Sequence, residues 1–196
     1  TSPRWRSESD TSKDTPSQRK HRVSNITGKL QSELVSMMRD VAAGLVELHK
    51  LRLVHGDIKP ANILRLGERW VIGDFGLTQK TGAHEPEGTI GYMAPERFGG
   101  TVTTKNDVYS FAVTAAVAGS GLTRSDERTL DSTRYQVLRF LETNVPEPPH
   151  FRDSIFPPPV SAILHGSLRS GPATRPSMRD VLDFLNEDHD GWLRTG

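Results

Sequence analysis

Residues 55–62 read His-Gly-Asp-Ile-Lys-Pro-Ala-Asn, and the rest of the chain is best interpreted outward from this stretch. Twelve residues after Asn62 the chain reads Asp-Phe-Gly at 74–76, and Gly-Thr-Ile-Gly-Tyr-Met-Ala-Pro-Glu follows at 88–96. Each short motif alone is often an ordinary turn, with its Asp serving as a local cap. A chance match to all three motifs in this order and spacing is negligible.

The flanks of this stretch predict a helix and a hairpin. Before it, Ser32 to Lys50 carries apolar residues at spacings of four, three, four and three (Leu34, Met38, Val41, Leu45, Leu48), the pattern of an amphipathic helix. After it, 63–66 and 69–72 read as two short strands around a tight turn. Residues 78–88 lack periodicity and predict a mobile loop.

The remainder of the chain predicts further helices. Asn106 is a candidate cap for a helix from Asp107 to about Ala118, whose apolar residues surround it and require burial. Three more helices are predicted at Ser132 to Thr143, Val160 to Leu168 and Pro176 to Leu185. The predicted fold is mainly α with one small β-hairpin, α+β overall.

Composition excludes several classes of protein. The 196 residues carry 25 Lys+Arg against 24 Asp+Glu, so no net field recruits nucleic acid or an anionic membrane, and we expect neither as a partner. No Cys is present, which excludes disulfides and Cys-based metal sites and makes the cytoplasm the expected location. No apolar run is long enough to span a bilayer. Oligomeric state, substrate identity and upstream signal are not encoded in any recognisable pattern.

The residue types at 55–76 suit phosphoryl transfer. That reaction needs a carboxylate at the attacking hydroxyl, oxygen ligands for Mg²⁺, and a cation for the transferred group. Asp57, Lys59 and Asn62 lie within six residues in a loop where Pro60 prevents a helix, so their side chains can converge on one cavity. The hairpin would return Asp74 beside Asn62.

These motifs resemble those of the eukaryotic-type serine/threonine protein kinase family, specifically the C-terminal lobe of its catalytic domain. By this resemblance Asp57 is the catalytic aspartate and Lys59 steadies the transferred phosphoryl group of ATP. Asn62 and Asp74 are the ligands of Mg²⁺, or of Mn²⁺ in its place, and Leu64 lies under the adenine. Residues 1–28 are rich in Ser, Thr, Lys, Arg, Asp and Pro, and this composition predicts a flexible polar linker. The resemblance assigns the lobe to 29–190, and a C-terminal tail follows at 191–196.

Further roles follow from the same resemblance. Thr89 matches the threonine that hydrogen-bonds the catalytic Asp and Lys, which implies Ser/Thr acceptors in protein substrates. Glu96 is expected to pair with Arg175 in a structural ion pair, and Asp107 to hold the catalytic-loop backbone. His55 and Phe75 are expected in the apolar column that marks an active kinase.

Two departures from the family matter for activity. Gly56 stands where the family usually has an arginine that binds a phosphorylated residue, so we expect activity to depend little on phosphorylation at 74–96, although Thr78 and Thr81 are candidate phosphosites. The chain also contains no Gly-x-Gly-x-x-Gly and no strand lysine before residue 55, the marks of the N-terminal lobe. We therefore expect little activity from these 196 residues alone.

Two alternatives remain open from the sequence. The first is a small-molecule phosphotransferase of the aminoglycoside or choline kinase type, which Gly56 favours and the residues at 88–96 oppose. The second is a non-catalytic, pseudokinase-type binding lobe, which the missing N-lobe motifs favour and the intact Asp57, Asn62 and Asp74 oppose.

Overall fold

The computed structural model describes residues 16–84, 87–89, 91–98, 100–119, 156 and 158–187, with the side chains of 16–28 and 98 outside the description. Its helices are α1 (Pro16–Lys50), α2 (Thr104–Gly119), α3 (Pro158–Ser167) and α4 (Met178–Asn186). Its strands are β1 (Leu53–Val54), β2 (Ile63–Leu66), β3 (Arg69–Ile72) and β4 (Gln79–Lys80). The predicted helix 132–143 and the predicted tail lie outside the described residues.

Helix α1 organises the core. Met38, Val41 and Leu45 of the predicted stripe are fully buried, while Leu34 and Leu48 at its two ends are partly buried against the core. The helix packs against α4, β3 and α2. The predicted amphipathic helix is thus confirmed from Ser32 to Lys50.

The start of α1 differs from the prediction. The helix begins at Pro16 rather than Ser32, so residues 16–28, expected to be flexible, are helical. Proline is favoured at the first helical position because its missing N–H has no helical partner there, and Lys, Arg and Gln propagate a helix well. A polar composition argues against burial, and it does not argue against helicity. The division of the chain into domains stays a prediction.

The predicted hairpin is confirmed residue by residue. Strand β2 pairs antiparallel with β3 in the register Ile63 to Ile72 through Leu66 to Arg69. A second antiparallel pair joins Leu53 to Lys80 and Val54 to Gln79, so β4 lies within the segment predicted as an unstructured loop. Two-residue strands have no periodicity to detect, and their pairing depends on contacts distant in sequence.

Helix α2 is the buried helix that its composition predicts, and its beginning lies earlier than expected. It begins at Thr104, and Asn106 is its third residue rather than its cap. The Asn106 side chain accepts a hydrogen bond from the Thr103 N–H at 2.7 Å, which is half of a capping box. Asn106 is therefore not the N-cap residue that the sequence predicted, and its side chain supports the start of α2 from the third helical position instead.

The last two helices differ from the prediction only at their ends. Helix α3 begins at Pro158, two residues before the predicted start. Helix α4 begins at Met178, because Ser177 and Asp180 form a complete capping box there and leave Pro176 outside the helix. Both helices bury apolar residues in the core that α1 and α2 share, including Val160, Leu164, Val181 and Leu185.

Candidate active site

The loop at 55–62 is anchored to helix α2 at two points. The backbone N–H groups of His55 and Gly56 donate to the two carboxylate oxygens of Asp107 at 2.8 and 3.0 Å. Further along, the Thr114 hydroxyl donates to the Ile58 carbonyl at 3.1 Å. Asp107 and Thr114 are both buried, so these bonds form where water competes little. The expected contact between Asp107 and the loop backbone is therefore present.

The Asp57 carboxylate accepts hydrogen bonds from three side chains. Lys59 Nζ and Asn62 Nδ2 donate to Oδ2 at 2.6 and 3.0 Å. The Thr89 hydroxyl and backbone N–H donate to Oδ1 at 2.6 and 3.1 Å. Only 6% of Asp57 is exposed, so these donors replace most of its hydration.

The net effect on Asp57 favours its charged form. Burial raises the pKa of Asp57, but the hydrogen bonds from Lys59 and Thr89, the charge of Lys59 and the hydrogen bond from Asn62 outweigh it, and the pKa lies below its ordinary value of 3.8. The carboxylate is therefore ionised at neutral pH. It is a weak base held in a fixed orientation.

Lys59 and Thr89 contact each other as well as Asp57. Lys59 Nζ donates to the Thr89 hydroxyl at 2.8 Å, which closes a triangle of hydrogen bonds among the three side chains. Thirty residues separate Lys59 from Thr89 in sequence. The triangle therefore joins the loop at 55–62 to the far part of the segment at 74–96.

The hairpin brings Asp74 next to Asn62. The Gly73 N–H donates to the Asn62 carbonyl at 2.8 Å, one residue beyond the Ile63–Ile72 pair. Asp74 has a left-handed backbone (φ 58°), and its Oδ1 accepts from the Gly76 N–H at 3.3 Å. The Asn62 amide nitrogen is bound to the Asp57 carbonyl at 2.8 Å as well as to its carboxylate, which makes Oδ1 the Asn62 atom available to a ligand.

The two remaining apolar candidates lie beside this pair. Leu64 is 53% exposed on β2, and its side chain lies close enough to Gly73 that a Cβ there would be 3.1 Å from it. Phe75 is 54% exposed and contacts the buried His55 ring edge to face, with ring centroids 5.1 Å apart. Two exposed apolar side chains therefore lie near Asp74.

The expected ion pair between Glu96 and Arg175 forms. The guanidinium donates to both carboxylate oxygens, at 2.6 and 2.8 Å, and the Arg175 side chain is fully buried. Asn106 donates to the same carboxylate at 2.6 Å, and the guanidinium lies 4.9 Å from the centre of the Tyr109 ring. The end of the 74–96 segment is thus fixed to α2 and to the turn before α4.

Sequence reasoning missed one further polar group, made by Arg97, Gln79 and Glu87. Arg97 follows the Ala-Pro-Glu motif and is only 2% exposed. No periodicity marks Arg97, and the one sequence signal for it is its position directly after Glu96.

The two candidate phosphosites also differ in exposure: the hydroxyl of Thr78 is buried, whereas Thr81 is exposed.

Known proteins share much of this sequence. The sequence model of the protein kinase domain matches residues 15–184. Serine/threonine-protein kinase PknD of Mycobacterium tuberculosis is 32% identical over 149 residues, covering 72% of this chain and 22% of that protein. A probable LRR receptor-like serine/threonine-protein kinase of Arabidopsis thaliana is 46% identical over 107 residues, covering 48% and 10%.

A human relative shows the same pattern of partial coverage. Receptor-interacting serine/threonine-protein kinase 3 of Homo sapiens is 37% identical over 109 residues, which is 45% of this chain and 21% of that protein. The chain thus spans between about a tenth and about a fifth of the length of these three relatives.

Within the described residues, no helix is long and apolar enough to cross a bilayer.

Proposed function

Because the chain belongs to the protein kinase family, we propose that the full-length protein transfers the γ-phosphoryl group of ATP to Ser and Thr hydroxyls of protein substrates. The observation that carries the proposal is the Asp57 carboxylate, oriented by Lys59, Asn62 and Thr89. Kinase chemistry relies on positioning and preorganised charge more than on a strong base. An ionised, fixed carboxylate meets that requirement.

The proposed roles of Asp57 and Lys59 rest on their charges and contacts. Asp57 orients the acceptor hydroxyl and accepts its proton as the hydroxyl oxygen bonds to phosphorus and the bond to the ADP oxygen breaks. Lys59 offers a cation for the negative oxygens of the transferred group. Its 2.6 Å bond to Asp57 supports this role, because the cation lies beside the carboxylate that would orient the acceptor hydroxyl.

Asn62 and Asp74 have the chemistry of a magnesium site. Mg²⁺ is usually held by one or two protein oxygens together with substrate phosphates, rather than by a cage of protein ligands. The Asn62 amide oxygen and the exposed Asp74 carboxylate are oxygen donors that suit this shared mode of binding. When bound, the metal neutralises charge on the phosphates, and Mn²⁺ could replace it.

Several observations support protein hydroxyls as acceptors. The three relatives are named as protein kinases, which favours this function over a small-molecule phosphotransferase and over a binding lobe. The contact between Lys59 and Thr89 supports Ser and Thr rather than Tyr, as the family resemblance implies. We propose that the reaction takes place in the cytoplasm, where ATP is available. A chain without cysteine needs no oxidising compartment to form disulfides.

The acceptor class can be tested directly with the full-length protein. Radiolabelled ATP and Mg²⁺ are supplied with a degenerate Ser/Thr peptide library, a Tyr peptide library, and a mixture of choline and kanamycin. We expect phosphoserine and phosphothreonine in the first reaction and background labelling in the other two. Labelling confined to the small molecules or to tyrosine would contradict the proposal.

A further inference from the structure

Arg97 is a buried cation in a rigid position. It lies in the short turn Pro95–Phe98, where its N–H donates to the Ala94 carbonyl at 3.0 Å. The preceding residue, Glu96, is fixed by its two hydrogen bonds from Arg175. The Arg97 backbone is therefore held by the turn, and its side chain contacts the segment that begins at Asp74.

The Arg97 guanidinium joins two parts of that segment. Nη1 donates to the Gln79 side-chain oxygen at 3.3 Å, and Nη2 donates to the Glu87 carbonyl at 2.6 Å. Gln79 Nε2 in turn donates to the Glu87 carboxylate at 3.3 Å. Gln79 lies in β4, five residues after Asp74, and Glu87 lies two residues before Thr89. One side chain thus links Gln79 to Glu87, eight residues apart within the segment.

Gly56 makes room for this arrangement. It has φ +84°, and a Cβ at this position would lie 2.8 Å from the Leu77 carbonyl oxygen and 3.5 Å from Arg97 Nη2. A Cβ at Gly88 would lie 2.9 Å from the Gly56 carbonyl oxygen. The two glycines let both parts of the segment lie against the catalytic loop, with the guanidinium beside them.

The surrounding charges stabilise a guanidinium in this position. Burial lowers the pKa of Arg97, and the negative charges of Asp107, Glu87 and Glu96 oppose that shift. An arginine remains protonated throughout the pH range in which proteins fold. Its hydrogen bonds to Gln79 and Glu87 are therefore charge-assisted and hard to replace with water.

We propose that Arg97 is a positioning residue for phosphoryl transfer: it ties Gln79 to Glu87 and so holds Thr89 at Asp57 and Lys59 without a phosphate on the segment. This inference rests on the proposed kinase function. It gives a physical source for the independence from phosphorylation that Gly56 suggests. In this chain the cation that holds the segment is Arg97, which is already buried in the fold. In a protein with an exposed arginine instead, a phosphate on the segment would be needed to make the equivalent contact.

The test compares Arg97→Gln and Arg97→Lys with wild type in phosphatase-treated full-length protein. Loss of charge-assisted hydrogen bonds should lower kcat about tenfold or more in Arg97→Gln, with the KM for ATP within about twofold of wild type. Arg97→Lys keeps the charge and should recover part of kcat. Hydrogen exchange at amides 79–89 should accelerate in Arg97→Gln, while exchange in α1 and α2 stays unchanged.

Arg179→Gln is the matched control, since this arginine lies on α4 with its side chain 49% exposed. It should leave kcat and exchange at 79–89 unchanged. If Arg97→Gln does not fold, Gln79→Ala removes only one partner of the guanidinium and should still accelerate exchange at 79–89. A folded Arg97→Gln with wild-type kcat and exchange would overturn the inference, as would unchanged exchange in Gln79→Ala.

Phosphatase treatment provides the second arm. Wild type and Thr81→Ala should both keep their activity after treatment, because no phosphate is needed to hold the segment. A tenfold or larger loss on dephosphorylation would contradict the role given to Arg97. If wild type transfers no phosphate under any condition, the proposed function fails, whereas the exchange comparison still reports on Arg97 alone.

Discussion

The catalytic loop at 55–62 and the segment at 74–96 meet at the same carboxylate, yet they are held in different ways. The loop is short and is anchored by buried side chains of a single helix, Asp107 and Thr114. The segment is longer, is fixed to the core at Glu96, and is otherwise joined by long-range polar contacts such as those of Arg97. Two parts of the molecule that are held in different ways thus meet at Asp57, and Thr89 connects them.

The largest expected effect is a loss of folding stability when the Glu96 end of the 74–96 segment is released. Replacing Arg175 with Met leaves the Glu96 carboxylate partly buried without its cation, and breaking such a pair costs about 3 to 5 kcal/mol. We expect a correspondingly lower free energy of unfolding in chemical denaturation. The double variant Arg175→Met with Glu96→Leu should recover part of the loss. A single variant as stable as wild type would show that this end is not anchored by the pair.

The second effect concerns the anchor of the loop. Asp107→Asn keeps the shape of the side chain but replaces an oxygen with an amide nitrogen, so that one of the two loop N–H groups faces a donor. It also removes the charge that faces His49 Nε2 at 2.9 Å. We expect a loss of about 2 to 3 kcal/mol in unfolding free energy and a lower kcat. Wild-type kcat in this variant would mean that the loop holds its geometry without α2.

The third effect tests the connection between the two regions. Thr89→Val removes the hydroxyl that bonds Asp57 and Lys59 but keeps the size of the side chain and the backbone bond to Asp57. We expect kcat to fall about tenfold to a hundredfold, with Thr89→Ser close to wild type. Steady-state kinetics on a Ser/Thr peptide would measure both variants. Equal kcat values for Thr89→Val and Thr89→Ser would show that the Thr89 hydroxyl does not link the segment to the activity of Asp57 and Lys59.

The smallest effect is a pH dependence of stability. The lowered pKa of Asp57 means that its ionised form stabilises the fold, fully above the ordinary value of 3.8 and progressively less as pH falls through the lower folded-state pKa. The difference in urea midpoint between wild type and Asp57→Asn should therefore shrink below about pH 4. A difference that is constant or grows toward pH 3 would place the Asp57 pKa at or above its ordinary value.

The same contrast explains what could be predicted from the sequence. The hairpin 63–72 and the helix from Ser32 to Lys50 follow from local patterns, and both are confirmed. The Glu96–Arg175 pair was predictable only through the family resemblance. The sequence predicts that Asp57, Lys59 and Asn62 belong to one site, because a carboxylate, an ammonium and an amide lie within six consecutive positions.

Two of the features that sequence reasoning missed depend on contacts between distant residues, and a third is local. Strand β4 exists because Gln79 and Lys80 pair with β1, some 25 residues earlier. Arg97 is significant because the fold buries it between Gln79 and Glu87, which no spacing rule anticipates. The early start of α1 reflects propagation of a helix into polar residues, whose composition alone indicated a loop.

The central claim is that Asp57 orients the acceptor hydroxyl for phosphoryl transfer. It is tested most directly by comparing Asp57→Asn with Asp183→Asn, an equivalent change at a carboxylate that is 63% exposed on α4, in full-length protein with radiolabelled ATP and a Ser/Thr peptide. We expect Asp57→Asn to lose about 10² to 10⁴-fold in kcat with near-unchanged ATP binding, and Asp183→Asn to match wild type. A loss of less than about threefold in Asp57→Asn would contradict the claim.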